Sequence, residues 1–375
     1  MNIGIITFNR LFNFGSALQT YALNKYLNTA GYHTITIDYI QKEQEKSFAY
    51  YEKNKNILSI CRNIQRFIYK NQVMTSRSRF RSFAEKYIPK TVPLSYSELK
   101  GAGKKFDIII CGSDQIWNPR YKGFDESYLL EFVSKQTKKF AYAASIGISD
   151  VNAHEKSIFQ KHLNTFDFIS VREIEAKRLL EPVITKPIHV VCDPVFLIDK
   201  SNWEKIAGNQ PIIEKPYALY YFIGNVTGMR NLGEKIKKQI KMPVVVVRMN
   251  LRDLLHMYKK YYEVGPTEFL NLLYHAKYIY TNSFHAVCFS LIFHKPFWVS
   301  METNLGVASQ CRIENLLTKV QLEHRIITHN TAQKDFLEDV DFSNSDVVLK
   351  KWIYESKTIL KEALHGGMNY DLSQE

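Results

Sequence analysis

The sequence predicts an α/β protein made of two successive halves, each with a mainly parallel β-sheet covered by helices. Short runs rich in β-branched and aromatic residues alternate with segments of helical periodicity along the 375 residues, a pattern typical of βαβ units. The runs are almost continuously apolar, as strands covered on both faces are. A polar segment that contains prolines, residues 199–216, interrupts the alternation, and we expect the boundary between the halves there.

The predicted strands of the first half cover residues 3–8, 34–39, 106–111, 139–144, 168–171 and 188–191. Those of the second half cover residues 217–223, 244–247, 278–281, 297–300 and 325–327. Helical periodicity marks residues 17–28, 153–164, 174–180 and 346–364, and Gly366 terminates the last of these segments. We therefore expect one domain over residues 1–198, a second over 199–344, and a C-terminal helix within 345–366 that packs back on the first domain.

The composition is that of a globular protein, with 45% apolar and 23% charged residues, which excludes broad disorder. No segment approaches the roughly 18 consecutive apolar residues of a transmembrane helix. The sequence opens on a predicted strand without a secretory leader, so we expect a cytoplasmic protein.

The net charge of +13 is concentrated in residues 53–90, which carry ten basic residues against one acidic residue, Glu85. Apolar residues recur there at helical spacing and predict a basic amphipathic helix inserted in the first domain. Such a helix is either solvated and docked on its own domain, or adsorbed peripherally to an anionic membrane surface. No nucleic-acid motif accompanies the charge, and we do not expect nucleic acid as a partner.

The sequence lacks the signatures of common bound cofactors and metals. Five scattered cysteines never form C-x-x-C, so free thiols are expected. There is no P-loop, no G-x-G-x-x-G after the first strand and no H-E-x-x-H, so we predict neither a cofactor nor a metal.

Two polar segments follow predicted strands of the first half. In N-F-G-S-A-L-Q-T at 13–20, a glycine and a serine open a helix, where free backbone N–H groups accept anionic or hydroxyl ligands. An ordinary helix cap is the alternative for Ser16. In C-G-S-D-Q-I-W-N-P at 111–119, fork-shaped hydrogen-bonding groups surround a tryptophan, which suits sugar hydroxyls and a ring face. A plain polar loop is the alternative.

Arginine and histidine follow other strands. Arg172 can grip a carboxylate or phosphate with two N–H groups, and Glu173 can hold its guanidinium; a local Arg–Glu pair is the alternative. Asp193 is either a site residue or a turn former. His285, in T-N-S-F-H-A at 281–286, is placed as a proton donor, although a lone histidine is more often packed or capping. Arg312 opens another predicted helix.

These segments together resemble the polysaccharide pyruvyl transferase family over nearly the whole chain. The matching landmarks are N-x-G-x-x-L-Q at 13–19, G-S-D-Q-I-W-N-P at 112–119, A-A-S-I-G at 143–147, S-V-R-E at 170–173, D-P-V-F at 193–196, S-F-H-A at 283–286 with its sequel at 293–296, and R-I-x-x-L-L at 312–317. The resemblance implies a glycosyltransferase-B-like pair of Rossmann-like domains that face each other across a cleft, in which phosphoenolpyruvate and a sugar meet.

The resemblance also implies the reaction and the roles of residues. Pyruvate would pass from phosphoenolpyruvate, a co-substrate, to a hexose of a bacterial surface polysaccharide or its lipid-linked precursor as a ketal. Arg172 and His285 correspond to the donor-binding arginine and the catalytic histidine. Many members have an arginine where this chain has Ser283. The contact that this arginine would make with a phosphate or carboxylate is therefore expected from Lys295 or Arg312.

The remaining predicted site residues divide between the two substrates. On the donor side they are Asn282 and Ser283. On the acceptor side they are Asn13, Gly15, Gln19, Ser113, Asp114, Gln115, Trp117, Asn118 and Ser145. Galactose and N-acetylmannosamine, linked through O4 and O6, are the acceptors considered. The alternatives are a nucleotide-sugar glycosyltransferase of the same fold and a non-catalytic protein that binds polyanions or a membrane surface.

Overall fold

The computed structural model describes residues 1–42, 60, 63–64, 67–121, 124–224, 238–247, 259–261, 263–301, 307–327 and 336–366. Residues 53–59, 61–62 and 65–66 of the predicted basic helix, and part of the second predicted domain, lie outside these ranges.

The first half contains a parallel sheet of six strands in the order β2-β1-β3-β4-β5-β6. The strands are β1 (Asn2–Ile6), β2 (His33–Thr36), β3 (Ile108–Cys111), β4 (Lys138–Ala144), β5 (Phe168–Val171) and β6 (Ile188–Val190). The central strands are buried along their length because helices cover both faces, which explains their continuous apolar runs.

The second half contains another parallel sheet of six strands, in the order β12-β11-β10-β7-β8-β9. The strands are β7 (Ala218–Tyr221), β8 (Val244–Val247), β9 (Lys259–Tyr261), β10 (Tyr278–Thr281), β11 (Phe297–Ser300) and β12 (Ile326–Ile327). Strand β9 was not among the predicted strands, since its sequence K-K-Y is short and polar.

Ten α-helices are described between and after the strands. They are α1 (Phe14–Thr29), α2 (Lys70–Tyr87), α3 (Tyr96–Gly103), α4 (Ala153–Leu163), α5 (Ile174–Leu180), α6 (Lys200–Ala207), α7 (Pro266–His275), α8 (Phe284–Phe293), α9 (Val307–Lys319) and α10 (Ser343–His365). Single 3₁₀ turns cover Glu126–Leu129, Pro194–Phe196 and Glu323–Arg325.

Each sheet has one point where the strand order reverses. In the first sheet this switch point lies between β1 and β3, and in the second it lies between β7 and β10. The second order is the Rossmann order, whereas the first is that of flavodoxin-like sheets. The predicted α/β class, with two Rossmann-like halves in a glycosyltransferase-B-like arrangement, is confirmed. Ligands of such sheets bind beyond the carboxyl ends of the strands at the switch point.

Two helices differ from the sequence interpretation. Helix α6 lies within residues 199–216, which were expected to form a polar boundary; it buries Trp203 completely and packs against α7. Helix α2 forms the second part of the basic segment, and its Phe80 and Phe83 are buried. This part is therefore docked on the protein. By contrast, Ile60, Ile64, Phe67 and Ile68 are exposed.

Side chains of α1, α2 and α7 join the two halves. Phe14 of α1 stacks on Phe269 of α7 with ring centroids 4.2 Å apart. The Ser76 hydroxyl of α2 donates to the Val264 carbonyl at 2.7 Å. These two contacts tie α1 and α2 of the first half to residues 264–269 of the second half.

Helix α10 returns to the first half at the end of the chain. The Cys192 N–H donates to the Ser356 hydroxyl at 3.0 Å, and the Tyr32 hydroxyl lies 3.3 Å from His365 Nε2. Trp352 and Leu360 of α10 belong to the same core as α1.

Candidate active site

The two switch points meet at His285. Helix α8 begins at Phe284 directly after β10, and Ser283 caps it by accepting from the Ala286 N–H. His285 therefore stands in the first turn, and it faces Gly15 in the first turn of α1. A Cβ atom on residue 15 would collide with the imidazole, so only glycine admits His285 at this place.

Asp193 lies on the other side of the imidazole. Its Oδ2 is 3.6 Å from His285 Nε2, and its side chain is fully buried. Burial would raise the pKa of this carboxyl, but His285 and Arg172 outweigh burial and hold the pKa well below its usual range. Asp193 therefore carries a negative charge beside His285 at neutral pH.

Arg172 follows β5 and shares Asp193 with the histidine. Its Nη1 donates to Asp193 Oδ2 at 2.6 Å, and its guanidinium lies over the Phe284 ring, 4.5 Å from the centroid. Burial would lower the pKa of Arg172, but Asp193 and Glu173 raise it above the ordinary value. Nε and Nη2 are buried and make no hydrogen bond to any described residue. A buried guanidinium with two such N–H groups is suited to bind an anionic ligand.

Glu173 is fixed from the side of the first half. Its Oε1 accepts from the Ser145 hydroxyl at 2.6 Å and from the Ile146 N–H at 3.1 Å. Its Oε2 lies 3.7 Å from Arg172 Nε. Glu173 is thus held by the first half and forms an ion pair with the guanidinium that is longer than a hydrogen bond.

Asp114 follows β3 and faces the same centre. It adopts a left-handed backbone conformation, with φ of 78°, and its Oδ2 accepts a 2.5 Å hydrogen bond from the Ser16 hydroxyl. Burial alone would raise the pKa of Asp114, but Arg172 and His285 hold it below its ordinary value. An ionised carboxylate here can accept a hydrogen bond from a substrate hydroxyl.

Arg312 of α9 supplies a second guanidinium. With the amide of Gln115 turned so that its oxygen faces the arginine, that oxygen accepts from both Arg312 Nη1 and Nη2. The guanidinium lies 5.9 Å from the Phe284 centroid, on whose ring Arg172 also rests. Burial and the charge of Arg172 lower the pKa of Arg312 to about 10, which still leaves it charged at neutral pH.

Lys295, the other residue considered for the missing contact, lies elsewhere. It follows the C-terminal end of α8, ten residues after His285, which places it about 15 Å along the helix from the histidine. Its ammonium lies 5.5 Å from the Tyr274 ring centroid. The expectation that Lys295 contacts the donor is therefore wrong, and Arg312 is the cation beside Arg172.

Several predicted acceptor contacts are wrong because the side chains are buried and already hydrogen-bonded. Trp117 is completely buried and donates from Nε1 to the Tyr128 carbonyl, so it offers no face to a sugar. The Ser113 hydroxyl donates to the Ala143 carbonyl, and Ser145 supports Glu173. Gln19 accepts from the Ser113 N–H and donates to Thr7. These residues shape the site without reaching its surface.

Other predicted residues divide into supporting and accessible ones. Asn282 bonds both backbone groups of Ile223, so it holds the end of β7 and does not face a donor. Asn13 caps α1 through the Ser16 N–H. Gln115 and Asn118, like Asp114, keep partly exposed side chains at the mouth of the site.

The sequence interpretation missed two contacts. Asp193, for which a site residue and a turn former were both open, caps a 3₁₀ turn through the Val195 N–H, and its other oxygen faces His285 and Arg172. Ser16, considered as a cap, bonds Asp114 across 98 residues of sequence. Only their position after strands at one edge of the sheet could have indicated these contacts.

The chain was compared with protein-family models, curated proteins and solved structures. A protein-family model described as polysaccharide pyruvyl transferase matches residues 13–300. A comparison with curated proteins gives no match.

Solved structures similar to this chain include three carbohydrate-related enzymes. UDP-GlcNAc 2-epimerase from Methanocaldococcus jannaschii is 14% identical over 93% of this chain and 98% of its own, with a TM-score of 0.49. UDP-N-acetylglucosamine 2-epimerase from Rickettsia bellii is 11% identical over 99% of both chains, with a TM-score of 0.45. ADP-heptose lps heptosyltransferase II from E. coli is 10% identical over 95% of this chain and 100% of its own, with a TM-score of 0.36.

Proposed function

The chain belongs to the polysaccharide pyruvyl transferase family, and on that premise we propose that it transfers pyruvate from phosphoenolpyruvate to two hydroxyls of a hexose, forming a ketal and releasing phosphate. The observation that carries the proposal is the contact between the switch points, where His285 stands beside two buried or half-buried arginines. The acceptor is a hexose of a bacterial surface polysaccharide or of its lipid-linked precursor.

Arg172 and Arg312 bind the donor. Phosphoenolpyruvate carries a phosphate and a carboxylate, and a planar guanidinium matches either group with two parallel N–H donors. Arg172 has buried N–H groups that make no bond within the described part of the chain, and Arg312 shares the Phe284 ring with it. Arg312 therefore supplies the contact that an arginine at position 283 supplies in many relatives.

His285 donates the proton that starts the reaction. Protonation of C3 of the enol converts the methylene into a methyl group and leaves positive charge at C2. A first hydroxyl attacks C2 and returns a proton to His285; the bond from C2 to the phosphate oxygen then breaks. The second hydroxyl closes the ketal, and its proton leaves with the phosphate. General acid catalysis of this kind contributes about 10²–10⁴-fold.

Asp193 acts on the catalytic histidine, and Asp114 acts on the acceptor hydroxyls. Asp193, 3.6 Å from His285 Nε2, stabilises the imidazolium and orients the ring. Asp114, with Gln115 and Asn118 beside it, accepts hydrogen bonds from the acceptor hydroxyls. This division follows from geometry, because Asp193 is fully buried whereas Asp114 is partly exposed.

Incubation of the protein with phosphoenolpyruvate and candidate hexose acceptors tests the proposal. The expected result is phosphate release that requires the acceptor, with a pyruvate ketal on the product by mass spectrometry. Matched reactions contain a nucleotide sugar instead of phosphoenolpyruvate. Sugar transfer from the nucleotide, with no release of phosphate from phosphoenolpyruvate, would overturn the proposal in favour of a nucleotide-sugar glycosyltransferase.

We also propose that residues 60–68 adsorb to an anionic bilayer. Ile60, Ile64, Phe67 and Ile68 recur at helical spacing and are 48%, 52%, 70% and 57% exposed. The surrounding sequence is strongly basic. An apolar row beside basic residues inserts at the level of the headgroups of anionic lipids. No described helix is both long and apolar enough to cross a membrane.

A further inference from the structure

A cavity lies away from the donor arginines, beyond the carboxyl ends of β1 and β2. Its volume is about 590 Å³, within the range of roughly 300–1,000 Å³ that small-molecule sites occupy. The loop after β1, residues 9–12, forms one wall, and helix α2 forms the wall opposite. The proposed reaction uses none of the residues that line this cavity.

The lining of the cavity is basic. Among the residues that the structure describes, the lining carries four basic side chains, Arg10, Arg77, Arg81 and Lys90, and two acidic ones, Asp38 and Glu85. Asp38 is buried and accepts from Arg10 Nη1 at 3.0 Å, so one carboxylate already serves to hold an arginine in place. Basic walls around a concave space focus the positive potential on whatever enters it.

Apolar groups complete the lining. Phe12 and Phe80 flank the cavity, and the Arg77 guanidinium lies 5.1 Å from the Phe12 ring centroid. The same pair of rings packs edge to face, with centroids 5.8 Å apart. An arginine supported by an aromatic ring is held in a fixed orientation, which favours specific recognition over loose attraction of counterions.

The loop that lines the cavity leads directly into residues of the reaction centre. The loop that carries Arg10 and Phe12 ends at Asn13, which caps α1, and Gly15 and Ser16 then contact His285 and Asp114. Ala17, in the next position, lines the cavity. The loop and the first turn of α1 therefore contribute residues both to the cavity and to the reaction centre.

We propose that this cavity binds a phosphoryl group of the acceptor, a phosphate or diphosphate ester attached to the hexose, and this assignment rests on the function proposed above. A diphosphate diester carries two negative charges, and four basic side chains line the described part of the cavity. Arginine guanidinium groups bind such oxygens in bidentate fashion. Two parts of the basic segment thus have separate tasks. Ile60, Ile64, Phe67 and Ile68 are exposed, and α2 contributes Arg77 and Arg81 to the cavity.

Calorimetric titration with inorganic pyrophosphate tests the site without any need for turnover. The variant R77Q/R81Q removes two charges from the lining, and K70Q/K86Q removes two charges from the same helix outside it. We expect R77Q/R81Q to bind pyrophosphate roughly tenfold or more weakly and K70Q/K86Q to bind it like the wild type. Equal affinity in all three proteins, or equal weakening in both variants, would overturn the proposal. A thermal unfolding curve for each variant verifies that it is folded.

A third variant, R172Q, separates this proposal from the proposed function. It should lose affinity for phosphoenolpyruvate and keep pyrophosphate binding in the cavity. If R172Q retains phosphoenolpyruvate binding, the donor assignment fails while the cavity assignment stands. If R172Q loses all pyrophosphate binding, the pyrophosphate site is the donor site and the cavity assignment fails.

Acceptor kinetics then identify the source of the phosphoryl group. A hexose linked to a short prenyl diphosphate, a nucleotide-linked hexose and an uncharged alkyl hexoside are compared in wild type and R77Q/R81Q. The preference is the ratio of kcat/KM for a diphosphate acceptor to kcat/KM for the uncharged hexoside. A ratio above one in the wild type that falls towards one in R77Q/R81Q supports the proposal, and the acceptor with the higher ratio identifies the source. An equal preference in both proteins would contradict it.

Discussion

His285 illustrates how much one residue depends on its immediate neighbours. Its imidazole occupies the space that a side chain at position 15 would fill, and Asp193 Oδ2 lies 3.6 Å from the opposite nitrogen, Nε2. Arg172 is constrained in the same way by Asp193, Glu173 and the Phe284 ring. At this scale the predicted effects are therefore on turnover and donor binding rather than on folding.

Replacement of His285 by Gln should lower kcat by at least tenfold, because the amide cannot donate the proton that general acid catalysis requires. Phosphoenolpyruvate binding, measured by calorimetry, should change little. His294 is the matched control, since it is an exposed histidine at the end of the same helix, and H294Q should keep its kcat. A kcat for H285Q above about a tenth of the wild-type value would exclude His285 as the general acid.

Arg172→Lys should be nearly as harmful as Arg172→Ala, since a point charge cannot reproduce a planar grip on an anion. The loss should appear in the KM for phosphoenolpyruvate or in kcat/KM. Arg178→Lys serves as the control, because Arg178 lies in the following helix and contacts none of the site residues that the structure describes. Unchanged phosphoenolpyruvate affinity in both Arg172 variants would show that Arg172 does not bind the donor.

Gly15→Ala should lower kcat by roughly tenfold or more, because the added methyl group must displace the imidazole of His285. The same change at Gly101, where a Cβ atom meets nothing within 4 Å, is the control and should leave kcat unchanged. Steady-state kinetics with circular dichroism on both variants makes the comparison. Equal activity of G15A and G101A would mean that His285 tolerates a displaced position.

At the scale of elements, the basic segment is not one uniform amphipathic helix. Phe80 and Phe83 of α2 are buried, and Ser76 and Arg79 contact the second half, so this part is structural. The exposed apolar row at residues 60–68 is the part that remains for a membrane surface. A test of membrane binding should therefore change the row and leave Arg79 intact.

Phe67→Ser should weaken sedimentation with vesicles that contain phosphatidylserine, because Phe67 is 70% exposed within the apolar row. Tyr354→Ser is the control, as Tyr354 is 72% exposed on α10, away from the row. Wild-type protein should not sediment with phosphatidylcholine alone, and raised salt should release it from the anionic vesicles. Equal sedimentation of the wild type with both lipids, or of both variants with anionic vesicles, would contradict the proposal.

At the scale of the whole molecule, the site exists only because the two sheets are held with their switch points together. The Phe14–Phe269 stack, the bond from Ser76 to Val264 and the return of α10 to the first half all bear on this arrangement. Residues from both halves then complete one site, with Asp114, Arg172 and Asp193 from the first and His285 and Arg312 from the second.

Phe269→Ala should lower the free energy of unfolding by about 3–5 kcal/mol, because a buried phenylalanine is lost. It should also uncouple the unfolding of the two halves. Phe166→Ala is the matched control, since Phe166 is equally buried but packs within the first half. In scanning calorimetry, the ratio of calorimetric to van't Hoff enthalpy should rise for F269A and remain that of the wild type for F166A. An unchanged ratio in F269A would show that the stack does not couple the halves.

The sequence by itself determined the α/β class, the positions of most strands and the motifs at their ends, because apolar runs and turn chemistry are local properties of the chain. It also singled out Arg172 and His285 by residue type and by position after a strand. Only the tertiary structure decided which strand ends face each other, since that depends on strand order and on packing between distant segments. For the same reason, the burial of Trp117 and the position of Lys295 at the far end of α8 could be known only from the structure. The same holds for the contact of Arg312 with Gln115 and that of His285 with Gly15.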